Sequence, residues 1–237
     1  MLCPFLFQKI CFFFDKEGPF IRNQAAFAAA SIKQLQAVPA SDLFVLRKDG
    51  YVMDLLKEAK ALEPQLIAWR RDLHQIPEVG MNLPQTSAYV QEELKKMGIP
   101  FKTYCNNIAI VATLGKGDKV VALRGDMDAL AIPEETGLPF ASKNGCMHAC
   151  GHDSHTSMLL TCAKLLKAHE DELKGTVKLL FQPAEETFEG APAMIKEGIL
   201  EEHNIQAMFA LHNEPMPEYG NGDIVVSVPP MMASGDF

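Results

Sequence analysis

Apolar residues fall at helical spacing through MDLLKEAKALEPQLIAWRRDLHQ (53–75), and the pattern stops near Pro77. A second amphipathic run, PQTSAYVQEELKKMG, opens on Pro84 and closes on Gly98, the usual proline-first, glycine-last order of a helix. The texture then changes. NIAIVATL (107–114) and KVVALRGD (119–126) are apolar or β-branched runs that read as strands, and the turn-like residues 115–118 between them predict a hairpin. Further along, the pattern predicts a helix over 154–169, a strand over TVKLLF (176–181), a short helix over 191–197, and strands in QAMFALH (206–212) and DIVVSV (223–228). This alternation predicts the α/β class, with a mixed, largely buried sheet covered by helices. Residues 1–52 show no sustained period of either kind, so they read as an N-terminal extension. The regular texture runs over 53–237, and Met53 reads as a natural start.

Composition narrows the classes. With 237 residues, 48% hydrophobic and 22% charged, the chain has enough apolar material for one or two cores. Its formal net charge of -8, with Lys and Arg scattered, argues against a grip on nucleic acid. Cys3, Cys11, Cys105, Cys146, Cys150 and Cys162 are irregularly spaced, unlike the framework of a small secreted domain, so reduced thiols in the cytoplasm are expected. No uninterrupted apolar run reaches the roughly 18 to 20 residues that span a bilayer, since Gln8 and Lys9 break the nearest candidate; no membrane association is expected. That opening also fails as a signal peptide, because Asp15, Lys16, Glu17 and Gly18 separate its apolar core from the small residues that follow.

Four polar clusters carry the candidate chemistry, each just after an apolar strand or at the start of a helix. CMHACGHDSHT (146–156) is the densest. A lone histidine is usually a surface or satisfied core residue, but soft and borderline ligands crowded around Gly151 point to a metal site, with a structural loop as the alternative. Cys150 and His152 can meet on one ion if the backbone turns at Gly151, and a helix start favours the thiolate. Asp153 either caps that helix or hydrogen-bonds the ligand histidine. His148 and His155 are further candidates for contact with metal or substrate. In QPAEE (182–186), adjacent glutamates would ordinarily be a solvated charge pair. At a strand end both can face a pocket, where one binds an ion and its neighbour takes a proton from water. Asp126 and Asp128 of RGDMDAL (124–130) point to one side under period-two geometry, or they cap the next turn. His212 of LHNEP (211–215) completes the set.

WRRDLHQIPEVG (69–80), LRGDMDALAIPE (123–134), MHACGHDSHT (147–156), FQPAEE (181–186) and ALHNEP (210–215) follow one another along the chain. Taken in that order, the chain resembles the amidohydrolase branch of the dinuclear aminoacylase and carboxypeptidase superfamily, which includes hippurate hydrolases, auxin-conjugate hydrolases and N-acetyl-diaminopimelate deacetylases. The resemblance implies a zinc-dependent exopeptidase-like catalytic domain over about 53–237. It implies hydrolysis of the amide bond of N-acyl amino acids or related small amides, by a metal-activated water with a glutamate general base. Cys150, His152, Glu186 and His212 match its metal ligands, Glu185 its general acid/base, and Asp128 the carboxylate that orients the site. Asp126 falls where related peptidases carry a ligand histidine. Two divalent ions are implied, manganese or zinc first, cobalt or nickel next.

Members of this family continue beyond the segment VPPMMASGDF (228–237) into a lid domain and a last metal-binding histidine. Three readings follow. The chain is an incomplete copy with weak or no activity alone; or a homo-oligomer or complementing C-terminal fragment completes it; or it binds metal or ligand without turnover.

Overall fold

The computed structural model describes residues 55–213 and four short strands outside them, at 8–13, 47–48, 51–52 and 224–226. The expectations placed on Met53 and on most of 1–52 lie outside the described residues. Strands β1 (Gln8–Phe13), β2 (Arg47–Lys48) and β3 (Tyr51–Val52) precede helices α1 (Leu55–Ala61), α2 (Glu63–His74) and α3 (Pro84–Lys96). Then come β4 (Phe101–Tyr104), β5 (Ala109–Gly115), β6 (Val120–Asp126), α4 (His152–Ala168) and β7 (Thr176–Gln182). The short helices α5 (Gly190–Lys196) and α6 (Ile199–Glu202) lead to β8 (Ala207–His212), and β9 (Ile224–Val226) follows.

One mixed sheet runs in the order β4-β5-β7-β6-β8-β1-β9. The expected α/β architecture is present, but the expected hairpin is not. β5 pairs antiparallel with β4 and β7, whereas β6 lies parallel to both β7 and β8. β7 separates the two strands because Val177, Leu179, Leu180 and Phe181 are buried on both of its faces, which is satisfied in the middle of a sheet and not at its edge. The run at 53–75 is also two helices rather than one. Pro64 opens α2 and has no N–H to continue α1, so Leu62 closes α1 with a tight bond to the Ala59 carbonyl at 3.0 Å. β4, a four-residue strand at one edge, was not anticipated.

Alternation along the strands sorts the core into two layers. Ile110, Ala112, Leu114, Leu179 and Phe181 face Trp69, Val90, Leu94 and Leu160 on α2, α3 and α4. Ala109, Val111, Ala122 and Leu180 face Met194 and Ile199 on α5 and α6. Burying each large apolar side chain contributes about 1.5 to 3 kcal/mol. The consequence for chemistry is positional. Because β6, β7 and β8 run in parallel, their carboxyl ends share one edge: Asp126 pairs with Gln182, and Asp126 and His212 each lie two residues past the Arg124–Ala210 pair. α4 begins at that edge too, where sheets of this class bind ligands.

Candidate metal centre

Cys150 and His152 flank Gly151, whose φ of +90° is left-handed and turns the chain into α4. A side chain there would be strained, and its Cβ would sit 2.7 Å from Asn213 Nδ2. Past the turn, Cys150 Sγ lies 3.3 Å from His212 Nε2 at the end of β8. His212 Nδ1 donates to the Asn213 carbonyl at 2.5 Å, which leaves Nε2 aimed at the sulfur. The nearness of His152 and His212 holds the Cys150 thiol below its ordinary pKa and so favours the thiolate, the ligand form.

The second wall is the loop after β7. Ala184 takes a left-handed φ of +51°, and the bend it makes brings Glu185 and Glu186 to the same ring. His152 Nε2 stands 3.8 Å from Glu185 Oε2, 3.7 Å from Glu186 Oε1 and 3.8 Å from Asp126 Oδ2. On its other side, His152 Nδ1 faces Asp128 Oδ1 at 3.3 Å, while Asp128 Oδ2 accepts the Glu186 backbone N–H at 3.0 Å. Asp128 therefore sets both the ring and the loop.

Whether these side chains fit a metal is tested by what they leave unpaired. Among the described residues, buried side-chain atoms without a hydrogen-bond partner are Asp128 Oδ1, Glu186 Oε1 and both ring nitrogens of His148 and of His152. Each such atom costs about 1 to 3 kcal/mol. Three sets of donor atoms lie within 4.8 Å of one another: Cys150, His152 and His212; His152, Glu185 and Glu186; and Asp126, His152 and His155. Ligands at about 2.0 to 2.3 Å from a shared ion stand about 3 to 4 Å apart, which is the spacing found around His152 Nε2. Burial opposes a charge on His152, yet the nearness of Asp128 and Cys150 and the charge of Asp126 push its pKa up to about 11. A point with that demand for positive charge fits a divalent cation.

The remaining candidates separate. Both oxygens of Asp126 are engaged, one by Arg124 Nη1 at 2.6 Å and one by His155 Nδ1 at 2.6 Å. His148 joins none of the three donor sets; burial pushes its pKa down to about 4, and its ring stands 6.3 Å from that of His74. Asp153 touches no ligand histidine, but its Oδ1 accepts the Ser154 backbone N–H at 2.9 Å in the first turn of α4. Its Oδ2 instead meets His74 Nδ1 at 2.7 Å and Arg70 Nε at 2.8 Å, because those two residues, four apart on α2, face the start of α4. Two open cavities of about 380 and 450 Å³ flank the turn at 105–108, and neither is lined by these residues.

Arg70, His74 and Glu134 lie in the sequence motifs, and their roles emerge only from the fold. His74 bridges Asp153 to Glu134 Oε1, 3.1 Å away, and so ties α2 to the segment that leads into Cys150. Burial lowers its pKa, but the hydrogen bonds and charges of Asp153 and Glu134 prevail and raise it above the ordinary 6.5. The stability this gives is fully present below about pH 6.5 and is lost as pH rises through the folded value. His74→Gln is therefore expected to cost about 3 to 5 kcal/mol at pH 6, the effect of breaking a buried ion pair, and less at pH 9. Urea unfolding at the two pH values measures it, and an equal cost at both contradicts a charged His74.

Residues 122–228 match Peptidase family M20/M25/M40. The chain is 41% identical over 199 residues to an N-acetyl-L-cysteine deacetylase of Bacillus subtilis (strain 168), covering 83% of this chain and 46% of that one. It is 45% identical over 174 residues to IAA-amino acid hydrolase ILR1-like 4 of Arabidopsis thaliana, covering 73% and 39%. In fold it is similar to a Bacillus subtilis protein described as a dinuclear metal binding peptidase from the M20 family, with a TM-score of 0.62 and 41% identity over 66% of this chain and 44% of that one. The chain thus spans less than half the length of each of these relatives. By sequence and fold, residues 122–228 carry the M20/M25/M40 peptidase domain that the chain shares with these relatives.

Proposed function

We propose that the chain provides the metal centre of a dinuclear, metal-dependent hydrolase of the amide bond in N-acyl amino acids or related small amides. What carries the reading is the meeting of Cys150, His152, Glu185, Glu186 and His212 at one sheet edge, with unpaired donor atoms on His152 and Glu186. Cys150, His152, Glu186 and His212 would hold two divalent ions; sulfur, imidazole and carboxylate together suit zinc, manganese, cobalt or nickel. When bound, the ions acidify water and stabilise the negative charge that develops on the amide oxygen.

Glu185 moves the proton. Its carboxylate is 34% exposed at the rim of the centre. Burial, and then the charge of Asp126, raise its pKa above the ordinary carboxylate value, so it takes a proton from water and returns it to the leaving nitrogen. Asp128 keeps His152 turned so that Nε2 faces the donors, and the free thiols of Cys105, Cys146, Cys150 and Cys162 accord with a reducing, cytoplasmic setting. No helix among the described residues is long and apolar enough to cross a membrane.

N-acetyl-cysteine and IAA-amino acids are the first substrates to try, since the relatives are named for them. Hydrolysis by the purified chain should vanish after chelation and return with manganese, zinc or cobalt; equal rates with and without metal would contradict the reading. In a second reading, metal binds but turnover awaits a further segment or a partner chain. Rates that appear only when a homo-oligomer forms or a complementing fragment is added distinguish it.

Removing a group that merely braces a metal ligand costs about 10- to 100-fold in affinity. Cys150→Ser removes a ligand itself, so metal affinity is expected to fall by about 100-fold or more in equilibrium dialysis. Unchanged affinity and stoichiometry would take Cys150 out of the ligand set.

A further inference from the structure

His155 lies in the third donor set, yet its hydrogen bonds leave it nothing to offer an ion. Its Nδ1 stands 2.6 Å from Asp126 Oδ1, and its Nε2 stands 2.9 Å from the backbone nitrogen of Asn213. A backbone N–H only donates, so Nε2 must be the acceptor and the ring proton must sit on Nδ1. The ring is buried at 3% exposure, so no solvent competes for either nitrogen.

We propose that His155 is a positioning residue, locked as the Nδ1–H tautomer, whose bridge between Asp126 and Asn213 fixes the separation of Cys150 and His212. The role rests on the metal centre proposed above and adds what sets its width. Both ends of the bridge are anchored. Asp126 is held by Arg124, which also donates through Nε to Gln182 Oε1 at 2.9 Å, and Thr156 Oγ1 donates to the Asp126 carbonyl at 2.8 Å. One end therefore spans β6, β7 and α4. At the other end, Asn213 Nδ2 donates to the Gly151 carbonyl at 3.3 Å, and the Asn213 carbonyl accepts from His212 Nδ1. Asn213 thus touches the turn between Cys150 and His152 and also orients His212. Without His155, its backbone N–H loses its partner and the two ligands are no longer braced against the sheet. In this arrangement Asp126 and His155 are close enough to share a metal seat with His152 but do the work of a strut.

Two measurements on the full chain test the strut. In the metal-free, ¹⁵N-labelled chain, histidine side-chain NMR should show His155 protonated at Nδ1 and bare at Nε2. With cobalt(II) as the probe, His155→Asn, too short to accept from Asn213, should bind about 10- to 100-fold more weakly than the parent. His155→Gln, whose oxygen reaches further, should recover most of that loss. If the parent chain takes up no cobalt, the metal centre fails and the tautomer alone decides the strut. A parent that binds cobalt while His155→Asn binds it equally overturns the strut, as does a proton found on Nε2. Should neither variant fold, the tautomer in the parent chain decides.

Discussion

Glu185→Gln is expected to bind metal as the parent chain does and to hydrolyse amide substrate about 10² to 10⁴-fold more slowly, the span typical of a lost general acid/base. The two side chains are nearly the same size, but the amide has no oxygen basic enough to accept a proton. Distance to His152 Nε2 does not separate Glu185 from Glu186, since the values are 3.8 and 3.7 Å. Their surroundings do. Glu186 is the less exposed side chain, 22% against 34%, and its backbone N–H is tied to Asp128 Oδ2. A carboxylate on a pinned backbone, with a buried oxygen left unpaired, suits an ion, and the more exposed one suits substrate. Glu186→Gln should accordingly lose metal. Rates are compared in the chain, with any completing partner present, alongside metal content. Loss of metal in Glu185→Gln with retention in Glu186→Gln would exchange the two roles.

Among the described glycines, Gly190→Ala is expected to be the most disruptive change to alanine. Gly190 starts α5 and is buried, and a Cβ built on it would lie 1.7 Å from the Pro183 carbonyl oxygen and 2.7 Å from its carbon. Those are backbone atoms and cannot swing aside. The loop they close is the one that presents Glu185 and Glu186, fastened by Gly190 N to the Ala184 carbonyl at 3.1 Å and by Phe188 N to the Glu185 carbonyl at 3.0 Å. The stability cost should reach or exceed the roughly 1 to 3 kcal/mol typical of overpacking, and metal affinity should fall with it. Urea unfolding and metal titration measure the two effects; a neutral outcome in both would mean that the loop is not clamped at Gly190.

Much of this fold is written in local patterns, and what is missing depends on partners far away in the chain. Apolar spacing finds α3 and α4 because one stripe on each helix meets the sheet. It cannot say which strands are neighbours. The glycines and polar residues between β5 and β6 have the chemistry of a hairpin turn, and only the burial of β7 on both faces forces those strands apart. Pro64 was visible inside the first helical run, where its missing N–H marks the break between α1 and α2.

The donor clusters were legible for a related reason. Cys150, His152, Glu185, Glu186 and His212 all sit at strand ends or at a helix start, and parallel strands bring such ends to one edge. The braces were not legible. Asp153 reads locally as a helix cap, and one oxygen does take the Ser154 N–H, but Arg70 and His74, some 80 positions away, claim the other. Asn213 acts through its backbone N–H as well as its side chain, and a backbone donor leaves no mark on residue identity.

A metal is expected where Cys150, His152, Glu186 and His212 meet. Anomalous diffraction from crystals of the chain grown with manganese or zinc, recorded at the metal's absorption edge, tests it directly. Anomalous density is expected within bonding distance of Cys150 Sγ, His152 Nε2, a Glu186 oxygen and His212 Nε2. Density elsewhere, with those four side chains free of it, would contradict the account.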